Sequence, residues 1–358
     1  MRAVVLAGMH AWGDCVLESA VTRPLLPILG RPLIAHTLDW LRSAGVNLAT
    51  ICANSNTAVL RHRLGSGAAY GVELEYYEDV MPRGPAGCTR DAVMHSSMDT
   101  VLVVEGTILP RIDLGAFLLS HATAGAGVTV AVVPPGRPAD GVWKPAGLYA
   151  FSRTILSEIP LIGYQDIKES LLPRLHRRGE RVCTRLVEAS SMPRITGPAS
   201  YLAVHIAAME QMLAGGAVPR GFVRLREALV HESVRFGADV SLVGPVWIDA
   251  GCRVESGAMI VGPTAVGASC VIGRNSVVSR SILWSGCAVD NGARLDQCIA
   301  VEDAHVLQGA VVHCGVVLAP VRDRPASLRN DTSGRWAGMG ELSAAGAPAV
   351  GRTGSVLT

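Results

Sequence analysis

Three histidines, nine cysteines and two glycine turns are the features of this sequence equipped for chemistry. His231, His305 and His313 lie in or near a stretch of recurring aliphatic residues, and a histidine held between the coils of such a structure can act as the general base of an acyl transfer. A surface histidine on a coil is commoner than a catalytic one, and the acyl-carrier cleft usually needs a trimer. The cysteines (Cys15, Cys52, Cys88, Cys183, Cys252, Cys270, Cys287, Cys298 and Cys314) include no C-x-x-C pair. Their odd number and scatter argue against a disulfide framework or a zinc site, and reduced thiols in a cytoplasmic protein are the plainer reading. No Ser-His-Asp arrangement stands out. The glycine turns are Leu6-Ala7-Gly8, closing the run AVVLAG, and Gly84-Pro85-Ala86-Gly87, opening GPAGCTRDAVMHSS.

The elements that must carry these turns change character along the chain. Up to about residue 215, short β-branched runs alternate with longer helical patterns. AVVLAG, ATICAN, TVLVVEG and GVTVAVV read as buried parallel strands. PLIAHTLDWLRSAG reads as a helix stopped by Gly45, and GPAGCTRDAVMHSS as another. Such alternation predicts a parallel α/β sheet with right-handed crossovers. A further helix is expected from about Ala199 to Leu213, then a linker over 216–230 that contains the end of AGGAVPRG.

From His231 to Pro320 aliphatic residues recur every six positions. Ile248, Val254, Ile260, Val266, Ile272 and Val278 form one series; Leu283, Val289, Leu295, Val301 and Leu307 form a second, displaced by one residue. A period of six predicts a left-handed parallel β-helix, three short strands to each coil of about 18 residues, with a loop or bulged corner near 278–283. A β-sandwich would instead alternate with period two. Residues 321–358 are rich in Ala, Gly, Ser and Pro without periodicity and read as a disordered tail.

With 358 residues the chain can bury two cores. A net charge of +2 at 17% charged residues makes no electrostatic case for nucleic acid or an anionic membrane surface. No run of about 18 apolar residues is present and the start lacks a signal-peptide core, so no membrane partner and a cytoplasmic location are expected.

Leu6 to Ile34, LAGMHAWGDCVLESAVTRPLLPILGRPLI, resembles without a gap the opening LAGGxGTRLxPLTxxxPKPLLPVxGRPLI of the nucleotidyltransferases that join a sugar 1-phosphate to a nucleoside triphosphate and release pyrophosphate. GPAGCTRDA resembles that family's GTAGAL segment, PAGLYAF its NAGIYVF, and ITGPASYLAVH its DIGTPEDYLRAN. Members such as mannose-1-phosphate guanylyltransferases and glucose-1-phosphate adenylyltransferases carry a β-helix behind the catalytic domain. The resemblance spans roughly residues 1–320. It implies a Rossmann-like nucleotidyltransferase domain over 1–215 and an all-β left-handed helix of hexapeptide repeats over 231–320. It also implies that Leu6, Ala7, Gly8, Gly84, Pro85, Ala86 and Gly87 hold a nucleoside, largely through backbone atoms.

The same alignment puts the family's chemistry in question. The phosphate loop's glycines become Met9 and Ala11 and its arginine becomes Gly13, where side chains obstruct a bare-backbone cradle. Arg23 stands where the family has a phosphate-contacting lysine, which keeps the charge but not the point-like ammonium. The two Mg²⁺-binding aspartates map onto Thr107 and Arg194. Glu105 adjoins the Gly106-Thr107 step, but neighbouring strand side chains face opposite ways, which argues against its standing in. The Glu-Lys-Pro sugar clamp is reduced to Lys144-Pro145.

These losses centre on one reaction and imply a catalytically silent member with no metal site and no catalytic residue, Mg²⁺ being needed only by an active enzyme. Such a pseudoenzyme would bind a nucleotide or nucleotide-sugar and form a homo-oligomer, or a hetero-oligomer with an active paralogue. An active sugar-1-phosphate nucleotidyltransferase and a hexapeptide acyltransferase are the alternatives.

Overall fold

The fold was obtained as a computed structural model, which describes residues 1–8, 15–135, 141, 143–216 and 218–319. The chain divides into two compact units: Met1–Gly13 with Val21–Val204, and Asp14–Ala20 with His205–Thr358. The substituted loop (Met9, Ala11, Gly13) and the tail 321–358 lie outside the described residues.

The first unit is organised by β-branched runs too apolar to face water on either side. Its strands are β1 (Arg2–Leu6), β2 (Pro27–Ile28), β3 (Arg31–Pro32), β4 (Leu48–Ala53), β5 (Glu73–Glu78), β6 (Thr100–Glu105), β7 (Val128–Val133), β8 (Lys144–Ser152) and β9 (Val182–Leu186). Seven of them form one sheet in the order β5-β4-β1-β6-β8-β7-β9, and β2 and β3 form a separate hairpin. Side chains alternate between two cores as a period of two requires. Ala3, Val5, Leu102, Val104, Leu148 and Ala150 enter one, against the helices Leu33–Ser43, Thr57–Leu64 and Leu114–Ala124. Val4, Leu6, Val101, Val103, Tyr149 and Phe151 enter the other, against the helix Gly84–Ala92 and Ile167, Leu171 and Leu175.

The four strands expected as parallel all run in one direction, but the sheet is mixed rather than purely parallel. β8 is antiparallel to both β6 and β7, between which it lies. The segment joining Val133 to Lys144 is shorter than the dozen or more residues a parallel crossover needs, so the chain turns straight back.

In the second unit the hairpin Phe222–Leu225 and Ala228–His231 occupies most of the span expected to be linker. Its second strand is the first rung of a parallel sheet, so strand structure begins ahead of the expected boundary at His231. The strands that follow form three parallel sheets, consistent with the left-handed β-helix. Ile248 pairs with Val266, Val254 with Ile272 and Ile260 with Val278, each 18 residues on. From Val266 the step is 17: Val266 to Leu283, Ile272 to Val289, Val278 to Leu295. The same step takes Leu283 to Ala300, Val289 to Val306 and Leu295 to Val312.

The second aliphatic series is therefore corrected beyond Leu295. Ala300 and Val306, not Val301 and Leu307, continue the ladders, and Leu307 is 50% exposed. One corner in each of these coils is a residue short, and Arg280, Gln297 and Cys314 turn it in the left-handed region at φ 48°, 54° and 50°. Trp247 and Trp284 are buried, and Trp247 packs on the Phe222 ring at 4.1 Å.

Candidate functional site

β1 and β4 run in register to Leu6 and Cys52, and there the chain turns sharply. The amides of Ala7 and Gly8 both donate to the Cys52 carbonyl, at 2.7 and 3.1 Å. Gly8 is required by this approach, since a Cβ there would lie 2.8 Å from the Asn54 nitrogen. Across from it the helix Gly84–Ala92 begins at Gly84, with φ +73° and the Gln165 carbonyl 2.7 Å from where a Cβ would stand.

Between these turns lies a pocket of about 70 Å³ lined by Leu6, Gly8, Cys52, Ala53, Asp79, Gly84, Pro85, Cys88 and Tyr164. That is well below the roughly 300 Å³ of a complete ligand site. Leu6, Gly8, Gly84 and Pro85, expected to hold a nucleoside, are among its lining residues. Ala7 adjoins it through the Cys52 hydrogen bond. Ala86 is turned into the core, and Gly87 gives room to Arg83, whose Cβ would lie 2.8 Å from a Cβ at 87.

Asp79, Cys52, Cys88 and Tyr164 were not read as site residues. Asp79 accepts the Arg83 amide on both carboxylate oxygens, at 3.0 and 3.2 Å, and burial lifts its carboxyl above the ordinary range. The Arg83 guanidinium ties this wall to the carbonyls of Pro160 and Leu161 and to Asp91. Burial, with a hydrogen bond to Cys88, pushes the Cys52 thiol well above its ordinary value, so Cys52 is not a ready thiolate. An acid five residues ahead of a glycine that opens a helix was the available signal for Asp79; nothing local marks the cysteines.

Thr107 and Arg194, far apart in sequence, meet. Residues 107–109 and 193–195 run antiparallel, with Leu109 N–H on the Pro193 carbonyl and Ile195 N–H on that of Thr107, both 3.0 Å. Arg194 Nη1 pairs with the Glu105 carboxylate and reaches Thr107 Oγ1 at 3.4 Å. Lys168 Nζ lies 3.5 Å from the other Glu105 oxygen. Glu105 is two residues from Thr107, not one, and Arg194 Nη1 reaches both side chains. The opposite-facing argument is corrected by this geometry, and Glu105 is engaged there as the partner of the Arg194 guanidinium.

The Glu105 side chain is 3% exposed, and Tyr149 faces it: burial and that carboxylate raise its phenol far above the ordinary range. Gly147, at φ +88°, leaves the gap, since a Cβ there would stand 2.7 Å from Arg194 Nη2 and 3.0 Å from Glu105 Cδ.

These residues do not fit Mg²⁺, which needs near-octahedral oxygen ligands. The one carboxylate here is held by two cations, and no group of three or more metal-ligating side chains occurs among the described residues. Arg23 opens the short helix Arg23–Leu25, whose Pro24 approaches Gly106. Lys144 begins β8 opposite Val133, exposed.

The β-helix histidines do not converge. His231, His305 and His313 lie on strands of three different sheets; His305 pairs with Asp290 and His313 with Asp296, each at 3.0 Å. No helix among the described residues is long and apolar enough to cross a membrane.

Residues 16–147 match the nucleotidyl transferase family. The mannose-1-phosphate guanylyltransferase of Mycobacterium tuberculosis is 24% identical over 318 residues, covering 82% of this chain and 83% of that one. The UTP–glucose-1-phosphate uridylyltransferase of Synechocystis is 23% identical over 336 residues, covering 82% and 86%. A putative glucose-1-phosphate thymidylyltransferase from Bacillus anthracis shares the fold, with a TM-score of 0.51 at 16% identity over 57% of this chain and 94% of that one. Residues 16–147 thus form a nucleotidyl transferase domain, and the parallel strands of the second unit are consistent with a left-handed β-helix.

Proposed function

We propose that this chain is a catalytically silent nucleotidyltransferase that binds a nucleotide or nucleotide-sugar and acts as a regulatory subunit. The observation that carries the reading is the Arg194–Glu105 ion pair where a metal-dependent member needs acidic ligands. The backbone turns at Leu6–Gly8 and Gly84–Gly87, which would hold the nucleoside, are intact in geometry. The relatives are named for guanylyl, uridylyl and thymidylyl transfer, so the base does not follow from kinship.

The test is release of pyrophosphate from each nucleoside triphosphate with common sugar 1-phosphates and Mg²⁺, alongside thermal-shift titration with nucleotides. Absent turnover with a raised melting temperature supports the reading, because a ligand of the native state must stabilise it. Turnover of about 1 per second or more, within the ordinary enzyme range, overturns it. As a regulatory subunit the protein associates with a second copy or an active paralogue through faces of the β-helix. The buried Trp247 and Trp284 do not supply that contact.

A further inference from the structure

We propose that Lys168 and Arg194 form a metal-free phosphate site: built-in cations that hold the diphosphate of a nucleoside diphosphate or nucleotide-sugar whose nucleoside sits in the Leu6–Gly84 pocket. The inference rests on the nucleotide-binding reading above and deepens it.

Three observations point to it. The first is charge. Two cations share the buried Glu105 carboxylate, and the nearby Asp166 carboxylate is turned to the Lys168 and Glu169 amides, whereas a pair of aspartates becomes attractive to phosphate only with a metal between them. The second is the arrangement of that charge. The acid is inside, with Glu105 3% exposed, while the side chains of Lys168 and Arg194 are 41% and 31% exposed. An approaching anion meets the cations, and the buried carboxylate anchors them from behind. The planar Arg194 fork is held by Glu105 and Thr107 and so loses little freedom on binding.

The third is place. Leu6, which lines the pocket, is the strand partner of Glu105, and the Gly106 amide donates to the Leu6 carbonyl at 2.9 Å. Adjacent strands lie about 4.8 Å apart, so the pocket residue Leu6 and the anchor Glu105 are immediate neighbours. Lys168 reaches the same carboxylate from the other side, four residues beyond Tyr164, another pocket residue. The turn that carries it is fixed by Asp166, whose carboxylate accepts the Lys168 and Glu169 amides at 2.6 and 2.9 Å.

The experiment is calorimetric titration of the full-length protein with the common nucleosides and their diphosphates, in EDTA and again in Mg²⁺. At least one diphosphate should bind tenfold or more tightly than its own nucleoside, with the same ratio in both buffers. Lys168→Gln should reduce that ratio to threefold or less without changing nucleoside affinity, and Lys168→Arg should retain it. The double variant Glu105→Gln with Arg194→Met, which removes the pair without stranding a buried charge, should also lose it; melting curves of each variant verify folding. Equal binding of nucleoside and diphosphate, an advantage that appears only with Mg²⁺, or a ratio untouched by Lys168→Gln each overturns the phosphate site and leaves the nucleotide reading standing. If no nucleoside and no nucleotide binds, both fall together.

Discussion

Arg194 and Glu105, 89 residues apart in sequence, are joined as a side-chain ion pair in which the acid is buried and the guanidinium half-sheltered. Such a pair contributes less by its attraction than it costs to break, because buried Glu105 is then left with Lys168 alone, 3.5 Å away. On the proposed reading it also supplies covalently attached positive charge in place of a dissociable cation.

Restoring the acids should restore ion affinity without restoring turnover. Thr107→Asp with Arg194→Asp places two carboxylates beside Glu105, and isothermal titration should then detect Mg²⁺ binding that the parent lacks. Pyrophosphate release should stay at background while Met9, His10 and Ala11 remain. Equal Mg²⁺ affinity in parent and variant would contradict the placement of these positions.

Arg194→Ala should destabilise the fold by about 3 kcal/mol in urea unfolding, the low end for breaking a buried pair, because Lys168 still faces Glu105. Adding Glu105→Gln should recover most of that loss, since the charge left behind is removed. Additive losses in the double variant would show that the two side chains do not depend on each other.

Gly147→Ala should cost about 2 kcal/mol, combining a left-handed backbone with a methyl group set against the ion pair. A melting temperature within 1 °C of the parent, roughly half a kcal/mol or less, would rule out the packing described.

Burial raises the Asp79 carboxyl, so between its ordinary value and the raised one the folded state binds more protons than the unfolded chain. Stability from this group therefore falls as pH rises through that window. Asp79→Asn keeps an oxygen for the Arg83 amide and should be more stable than the parent at pH 7, with the advantage shrinking towards pH 4. A difference that is flat with pH, or grows on acidification, would reverse the sign assigned here.

On one face of the β-helix, Met259, Val277 and Val311 stand on a single ladder with Arg294 between the last two, and Met259 and Val311 are 41% and 69% exposed. If that face carries self-association, Met259→Glu with Val311→Glu should convert the oligomer to monomer in sedimentation velocity while unfolding remains cooperative. An unchanged sedimentation coefficient would assign the contact elsewhere.

The parts of this molecule that were legible beforehand are those where a repeating physical demand leaves a repeating trace. Two-faced burial makes β1, β4, β6 and β7 readable as apolar runs, and a ladder of inward aliphatics marks Ile248 through Leu295. What escaped is set by contacts between distant residues. Glu105 is an acid at the end of an apolar strand until Arg194 and Lys168 reach it from elsewhere in the chain. Asp79 is one acid among several until the helix at Gly84 closes over it. Leu307 and Val306 are chemically interchangeable, and only the shortened corner at Gln297 decides which of them turns inward.

That recurring corner has an evolutionary consequence. From Val266 onward each strand repeats its neighbour's register after 17 residues. Gain or loss of one whole coil would leave every ladder intact, whereas gain or loss of a single residue within a strand would turn its inward side chains out. Descendants of this gene should therefore vary the length of the stretch in quanta of a coil, and unpaired single-residue indels should be confined to its corners.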